Sequence, residues 1–135
     1  MSPNAVTEIP AAASAAALDH FASLLTFETD CWDTNAAMTS GEPGFVLLDV
    51  RGKGGFDAGH IDGAIHFPHL DLTEENLVGF PADTLFVVYC AGPHCNGADK
   101  AAMALATLGR PVKKMIGGIE GWRDEGFDFA TSDQA

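Results

Sequence analysis

Four short runs along the chain carry most of its apolar pattern: Phe45-Val46-Leu47-Leu48-Asp49-Val50, Ala64-Ile65-His66-Phe67, Leu85-Phe86-Val87-Val88-Tyr89, and Val112 to Ile116. Runs of this length, rich in β-branched and aromatic residues, read as strands buried on both faces. Between them lie shorter helical or loop segments, from Gly55-Phe56 onward and from Leu72 to Val78. A firmer helix is predicted from about Gly97 to Leu108, with Gly109 as its C-terminal cap. Strands alternating with helices imply an α/β domain, its central and mostly parallel sheet covered by helices on both faces. In such sheets ligands bind beyond the carboxyl ends of the strands.

Ahead of this core the pattern changes. Residues up to about Ala13 are Ala-, Pro- and Ser-rich and are expected to be mobile. Leu18, Phe21, Leu24 and Leu25 then recur at helical spacing. Their stripe is expected to pack on the domain or on a second subunit, so a homodimer through this helix is one expectation. Thr29-Asp30-Cys31-Trp32 reads as a short edge strand. Asp33 or Thr34 would cap a brief helix through Met38, and Ser40-Gly41-Glu42-Pro43-Gly44 reads as a turn. The expected organisation is a mobile segment over 1–17, a helix and edge elements over 18–44, a core over 45–127 and a tail over 128–135.

Composition narrows the partners. The 135 residues suit one domain. With 7 basic against 19 acidic residues the net charge is −12. Nucleic acid and anionic membranes both reward Lys and Arg clusters, so neither is an expected partner. Three cysteines make no disulfide framework and suit a reducing compartment. No Lys or Arg precedes Arg51, and no apolar run reaches membrane-spanning length. A cytoplasmic protein is the expectation.

The candidate chemistry centres on Cys90. It ends the Leu85–Tyr89 run and precedes Ala91-Gly92-Pro93-His94-Cys95-Asn96-Gly97-Ala98, which leads into the firm helix. Amides at a helix start favour an anion, and the thiolate is the nucleophilic form of cysteine. Cys95 fails the Cys-X-X-Cys spacing, leaving loop packing or a resolving thiol as its two readings. Cys31, beside Trp32, reads as a small buried hydrophobe. Asp49, Arg51 and His60 have a catalytic reading and a structural one. The structural reading is preferred for Arg51 and His60, while Asp49 ends a strand on the presumed site edge and could support the site from behind. His60, His66, His69 and His94 match no compact zinc spacing, and no metal or cofactor is expected. Gly117-Gly118-Ile119-Glu120-Gly121-Trp122 suggests close backbone approach or left-handed turns, with Trp122 packing over the sheet edge or the turn walling the Cys90 pocket.

Taken in order, Leu48-Asp49-Val50-Arg51, Gly59-His60-Ile61 through Gly63-Ala64-Ile65-His66 to Pro68, Tyr89-Cys90, and Gly117-Gly118 with Gly121-Trp122 resemble the signatures of rhodanese-homology domains, from about Phe45 to Phe127. The resemblance implies a single three-layer α/β domain and a cysteine that accepts sulfane sulfur as a persulfide, then passes it to a thiol or cyanide-like acceptor. Cys90 would be that cysteine, attacking thiosulfate or a similar small-molecule donor. Ala91, Gly92, His94, Cys95, Asn96, Gly97 and Ala98 would bind the donor, and Asp49 and Arg51 would support from behind. The loop departs from the family, with Cys95 and Asn96 where many members carry Arg followed by Ser or Thr. Related phosphatases and arsenate reductases clamp their oxyanion with an Arg that this loop lacks, so that reaction is disfavoured. The alternative is a non-catalytic or redox-regulatory module using Cys90 and Cys95.

Overall fold

The computed structural model describes residues 4–132. Five strands form one sheet in the order β1-β5-β4-β2-β3, namely β1 Glu28–Thr29, β2 Val46–Asp49, β3 Ile65–His66, β4 Phe86–Tyr89 and β5 Val112–Met115. Every strand pairing is parallel. The helices are α1 Ser14–Phe27, α2 Cys31–Thr39, α3 Lys53–Ala58, α4 Gly97–Thr107 and α5 Gly118–Asp124, with a 3-10 turn at His69–Asp71. No helix among the described residues is long and apolar enough to cross a membrane.

The central strand β4 explains the layering. All four of its residues are buried, as a strand covered on both faces requires. Phe86 and Val88 face Leu48, Val50 and the Ala98, Ala101 and Leu105 stripe of α4. Val87 and Tyr89 face Leu47, Cys31 of α2, and Ile119 and Trp122 of α5. Burying one such large side chain stabilises the fold by roughly 1.5–3 kcal/mol. The period of two therefore assigns each residue near the end of β4 to one layer or the other. Cys90, just past the strand, belongs to the α4 layer.

Two expected elements differ. The edge strand lies at Glu28–Thr29, because Asp30 turns the chain and accepts the Asp33 amide at 2.8 Å. Asp30, rather than Asp33 or Thr34, is thus the N-cap of α2, and Cys31 opens the helix. Leu72 to Val78, open between helix and loop in the sequence, forms turns. Its polar side chains bond the local backbone, the Asn76 amide donating to Thr73 Oγ1 at 3.2 Å and Asn76 Nδ2 to the Asp71 carbonyl at 2.9 Å. Gly117 and Gly118 take the left-handed conformation expected of them and lead into α5. On α1, Leu18, Phe21 and Leu25 are exposed.

Candidate functional site

Cys90 stands at the carboxyl end of β4, the sheet edge where the chain enters a loop before α4. Residues Gly117 and Gly118 hold the far side of that loop. Both have positive φ, at 88° and 58°. A side chain on Gly118 would strike the Cys90 carbonyl and come within 2.9 Å of the Gly92 nitrogen. With no Cβ there, α5 approaches closely enough for its amides to hold the loop. Ile119 N–H donates to the Cys90 carbonyl at 3.0 Å, and Glu120 N–H to that of Ala91 at 2.9 Å.

Gly97, the first residue of α4, performs the same service from below. A Cβ built on it would lie 2.9 Å from Cys90 Sγ and 3.4 Å from Cys95 Sγ. Both sulfurs therefore rest against the opening turn of α4. Cys95 turns inward because its amide donates to the Gly92 carbonyl at 3.0 Å, closing a tight turn. Its sulfur accepts the Gly97 amide at 3.4 Å. Cys90 and Cys95 are joined as a disulfide, their Cα atoms 6.5 Å apart, within the span such a bridge allows. Cys95 also packs, partly buried, against the core cluster on the α4 side.

A cleft of about 450 Å³ opens onto the pair, lined by Cys90, Gly92, Pro93, Cys95, Ala98 and Asp99 on one side and by residues 114–118 on the other. Cys90 is only 7% exposed, and the cleft is its route to solvent. Of the residues anticipated for donor binding, Gly92, Cys95 and Ala98 line the cleft. Gly97 supports both sulfurs, and Ala91 anchors the loop to α5. Asn96 occupies the N-cap position of α4 without a side-chain cap bond. His94 is exposed, its Nδ1 3.6 Å from Glu120 Oε1.

Lys114 was not anticipated. It lies opposite Val88 in the β4–β5 register, so the period of two turns it to the Cys90 face. There it lines the cleft and bonds Asp99 Oδ1 at 2.9 Å. The adjacent lysines of β5 were the available signal, but only strand pairing says which one faces the thiol. The acidic groups Asp99 and Glu120 offset this cation.

Asp49 and Arg51 lie on the other side of the sheet. Asp49 is fully buried beside Tyr89, in the α2–α5 layer. Arg51 grips its carboxylate through Nε at 3.1 Å and Nη2 at 2.8 Å, and Nη2 also donates to the Gly59 carbonyl. The support anticipated for Cys90 from these two residues thus has no direct path, and they tie β2 to the Gly59 loop instead. The Tyr89 phenol accepts the Ile61 amide at 3.2 Å. Its pKa is pushed well above the ordinary value, by burial first and by the Asp49 carboxylate next. His60 stacks on Phe56 with ring centres 3.8 Å apart, and its Nδ1 lies 2.8 Å from the Phe56 carbonyl. His66 Nε2 lies 2.8 Å from the Arg51 carbonyl. A larger cleft of about 540 Å³ adjoins His60, but it is lined mainly by Phe56 and the chain from Asp128 to Ser132 and contains no thiol.

The remaining thiol, Cys31, is buried between α2 and α5. Burial first, and the acidic Asp30, Glu125 and Asp124 after it, raise its pKa from 9.0 to about 11. The protonated form therefore dominates at neutral pH. Its contribution to stability is present below 9.0 and is lost as pH rises through about 11, because the unfolded thiol ionises first. Iodoacetamide at neutral pH should label Cys90 and Cys95 in the reduced native protein and spare Cys31 until denaturant is added. Peptide mapping that finds Cys31 labelled as fast as Cys90 would contradict this account.

Comparison with known proteins accords with this geometry. The sequence model of the rhodanese-like domain family matches residues 33–125. The chain is 34% identical over 86 residues to the thiosulfate sulfurtransferase GlpE of Tolumonas auensis, covering 60% of this chain and 74% of that one. It is 38% identical over 82 residues to an HTH-type transcriptional regulator of Mycobacterium tuberculosis. That match covers 61% of this chain but spans only 36% of the regulator. Among solved structures, a Bacillus halodurans protein superposes with a TM-score of 0.85 at 35% identity, covering 89% of this chain and 88% of that one.

Proposed function

This chain belongs to the rhodanese-like domain family, and from that premise we propose that it is a sulfurtransferase acting through a persulfide on Cys90. The observation that carries the reading is the seat of the thiol: the end of β4, against the first turn of α4, at the foot of an open cleft. With the Cys90–Cys95 bridge reduced, the Cys90 thiolate attacks the outer sulfur of thiosulfate or a similar donor. The sulfur–sulfur bond of the donor breaks and sulfite leaves with the electron pair. The persulfide then rests where the positive end of α4 favours an anion. A thiol or cyanide-like acceptor removes the outer sulfur and restores the thiolate, which makes the kinetics ping-pong. No resident cofactor is part of this scheme.

Charge shapes the choice of donor. Lys114 is the cation lining the cleft, and it is already paired with Asp99. The three arginines are engaged elsewhere: Arg51 on Asp49, Arg110 on the carbonyls of Leu77, Phe80 and Pro81, and Arg123 over Phe129. A phosphatase- or arsenate-reductase-like reaction is not supported, because a dianion would find no guanidinium clamp. The same scarcity makes thiosulfate a weakly bound donor, and a less charged persulfide a better one.

The reaction is tested with protein reduced by dithiothreitol, freed of reductant, and given thiosulfate or glutathione persulfide with cyanide. Thiocyanate should form with at least one of the two donors. No thiocyanate from either donor would overturn the proposal.

Gly97→Ala probes the seat itself. Alanine favours the helix by up to about 1 kcal/mol, so stability should change little, yet the new Cβ must displace the Cys90 sulfur. Sulfur transfer should fall by about a hundredfold, the order that a misplacement near 1 Å costs. Full activity with a shifted melting temperature would refute that assignment.

Two observations favour a second reading. Cys90 and Cys95 are bonded, and a relative of this domain forms part of a transcriptional regulator. The same pair would then serve as a redox-regulatory element without turnover. Under that reading mild peroxide forms the bridge in solution while no donor yields thiocyanate.

A further inference from the structure

We propose that Cys95 is the resolving nucleophile of the Cys90 persulfide, so that the protein reduces sulfane sulfur to sulfide as well as transferring it. The inference rests on the sulfurtransferase reading and adds a second fate for the same intermediate.

The geometry supplies the reason. Cys95 Sγ reaches Cys90 Sγ with the loop in its folded path, and both sulfurs lie on Gly97. The turn that brings Cys95 inward is closed by its own amide on the Gly92 carbonyl. The Gly97 amide points at Cys95 Sγ and stabilises negative charge there. A resolving thiol needs those two conditions, reach and ionisation. Both cysteines also line the cleft, so their bridge is open to an external dithiol, unlike a staple sealed inside a core.

The Cys95 thiolate attacks Cys90 Sγ of the persulfide, forming the Cys90–Cys95 bond and breaking the bond to the outer sulfur. That sulfur leaves as hydrosulfide, carrying the electron pair and the proton that Cys95 gave up. The two cysteine sulfurs are oxidised to the disulfide, and the sulfane sulfur is reduced to sulfide. An external dithiol reductant resets the bridge by thiol–disulfide exchange. Hydrosulfide is a weaker base than an ordinary thiolate, and a better leaving group, which sets the direction of the step. An internal thiol at high effective concentration competes well against a dilute external acceptor.

The test compares wild type with Cys95→Ser and Cys95→Ala. Each protein is reduced, stripped of reductant and mixed with glutathione persulfide or with thiosulfate, with no acceptor present. Sulfide is trapped with monobromobimane, and the peptides are mapped without reduction. Wild type should release one equivalent of sulfide and end with the Cys90–Cys95 bridge and no persulfide. Both variants should hold a persulfide on Cys90 and release sulfide at least about tenfold more slowly, their external thiols being the only route left. Two serine-like and alanine-like replacements guard against one that merely disturbs the loop. If wild type keeps its persulfide as long as the variants do, Cys95 is not a resolving nucleophile, while the transferase reading stands. If neither wild type nor variants take up sulfur, the transferase reading fails and takes this inference with it.

Discussion

Replacing Cys90 by Ser is expected to lower sulfur transfer by at least about a thousandfold, the order of loss that follows removal of the nucleophile in covalent catalysis. The substitution keeps the size and polarity of the side chain, so the cleft and the fold should persist. Hydroxyl and thiol differ in what they can become. A serine hydroxyl is not ionised by a helix start at neutral pH, whereas a cysteine thiol is brought within reach of ionisation there. Cys90→Ser should retain the melting temperature of the reduced wild type to within a few degrees and should form no thiocyanate above background. Retained turnover would move the chemistry off Cys90 itself. Cys95 would be the next candidate, and the Cys95→Ser arm described above reads its share directly.

Arg51→Ala should cost about 3 kcal/mol of stability, the order seen when one partner of a buried pair is removed. Asp49 is fully buried and Arg51 is its gripping partner, so the truncation strands a carboxylate in the α2–α5 layer. It also frees the Gly59 carbonyl that Nη2 holds. The melting temperature should drop by roughly 10 °C, taking a few degrees per kcal/mol for a domain of this size. Below that temperature the thiocyanate formed per folded molecule should match wild type, because the pair lies across the sheet from Cys90. Thermal unfolding and sulfur transfer to cyanide, measured on the same preparation, separate the two effects. A variant that is stable but transfers no sulfur would restore Arg51 to the chemistry.

The residues that reveal the fold are those whose environment is dictated by the strand they sit in. Phe86 to Tyr89 is apolar at every position because both faces are covered, and that is visible without coordinates. Cys90 is legible for the same reason, since a thiol at the end of such a strand has one sheet edge to occupy. The misplaced elements trace to competing side-chain bonds that a periodicity does not register. Asp30 capping α2 moved the edge strand, and Thr73 with Asn76 settled an open helix-or-loop segment as turns. The site was less legible than the fold, because it is assembled across elements. Spacing between Cys90 and Cys95 does not encode the turn at Gly92 that brings them together. Lys114 joins the cleft through its register with Val88, a fact of strand pairing. Asp49 and Arg51 carry a pattern that looks chemical, and their bonds show a framework. Close approach at Gly118 was legible from its glycine pair, whereas Gly97 matters for a missing side chain that only the neighbouring sulfurs reveal.

The central claim is that one sulfur atom moves onto Cys90 from a sulfane donor. Mass spectrometry of the reduced protein after exposure to glutathione persulfide or thiosulfate, run on the Cys95→Ser variant so that the product is held, tests it most directly. The account predicts a mass gain of one sulfur, mapped to the peptide bearing Cys90 and discharged by cyanide. An unchanged mass with both donors, or added sulfur found only on Cys31, would contradict it.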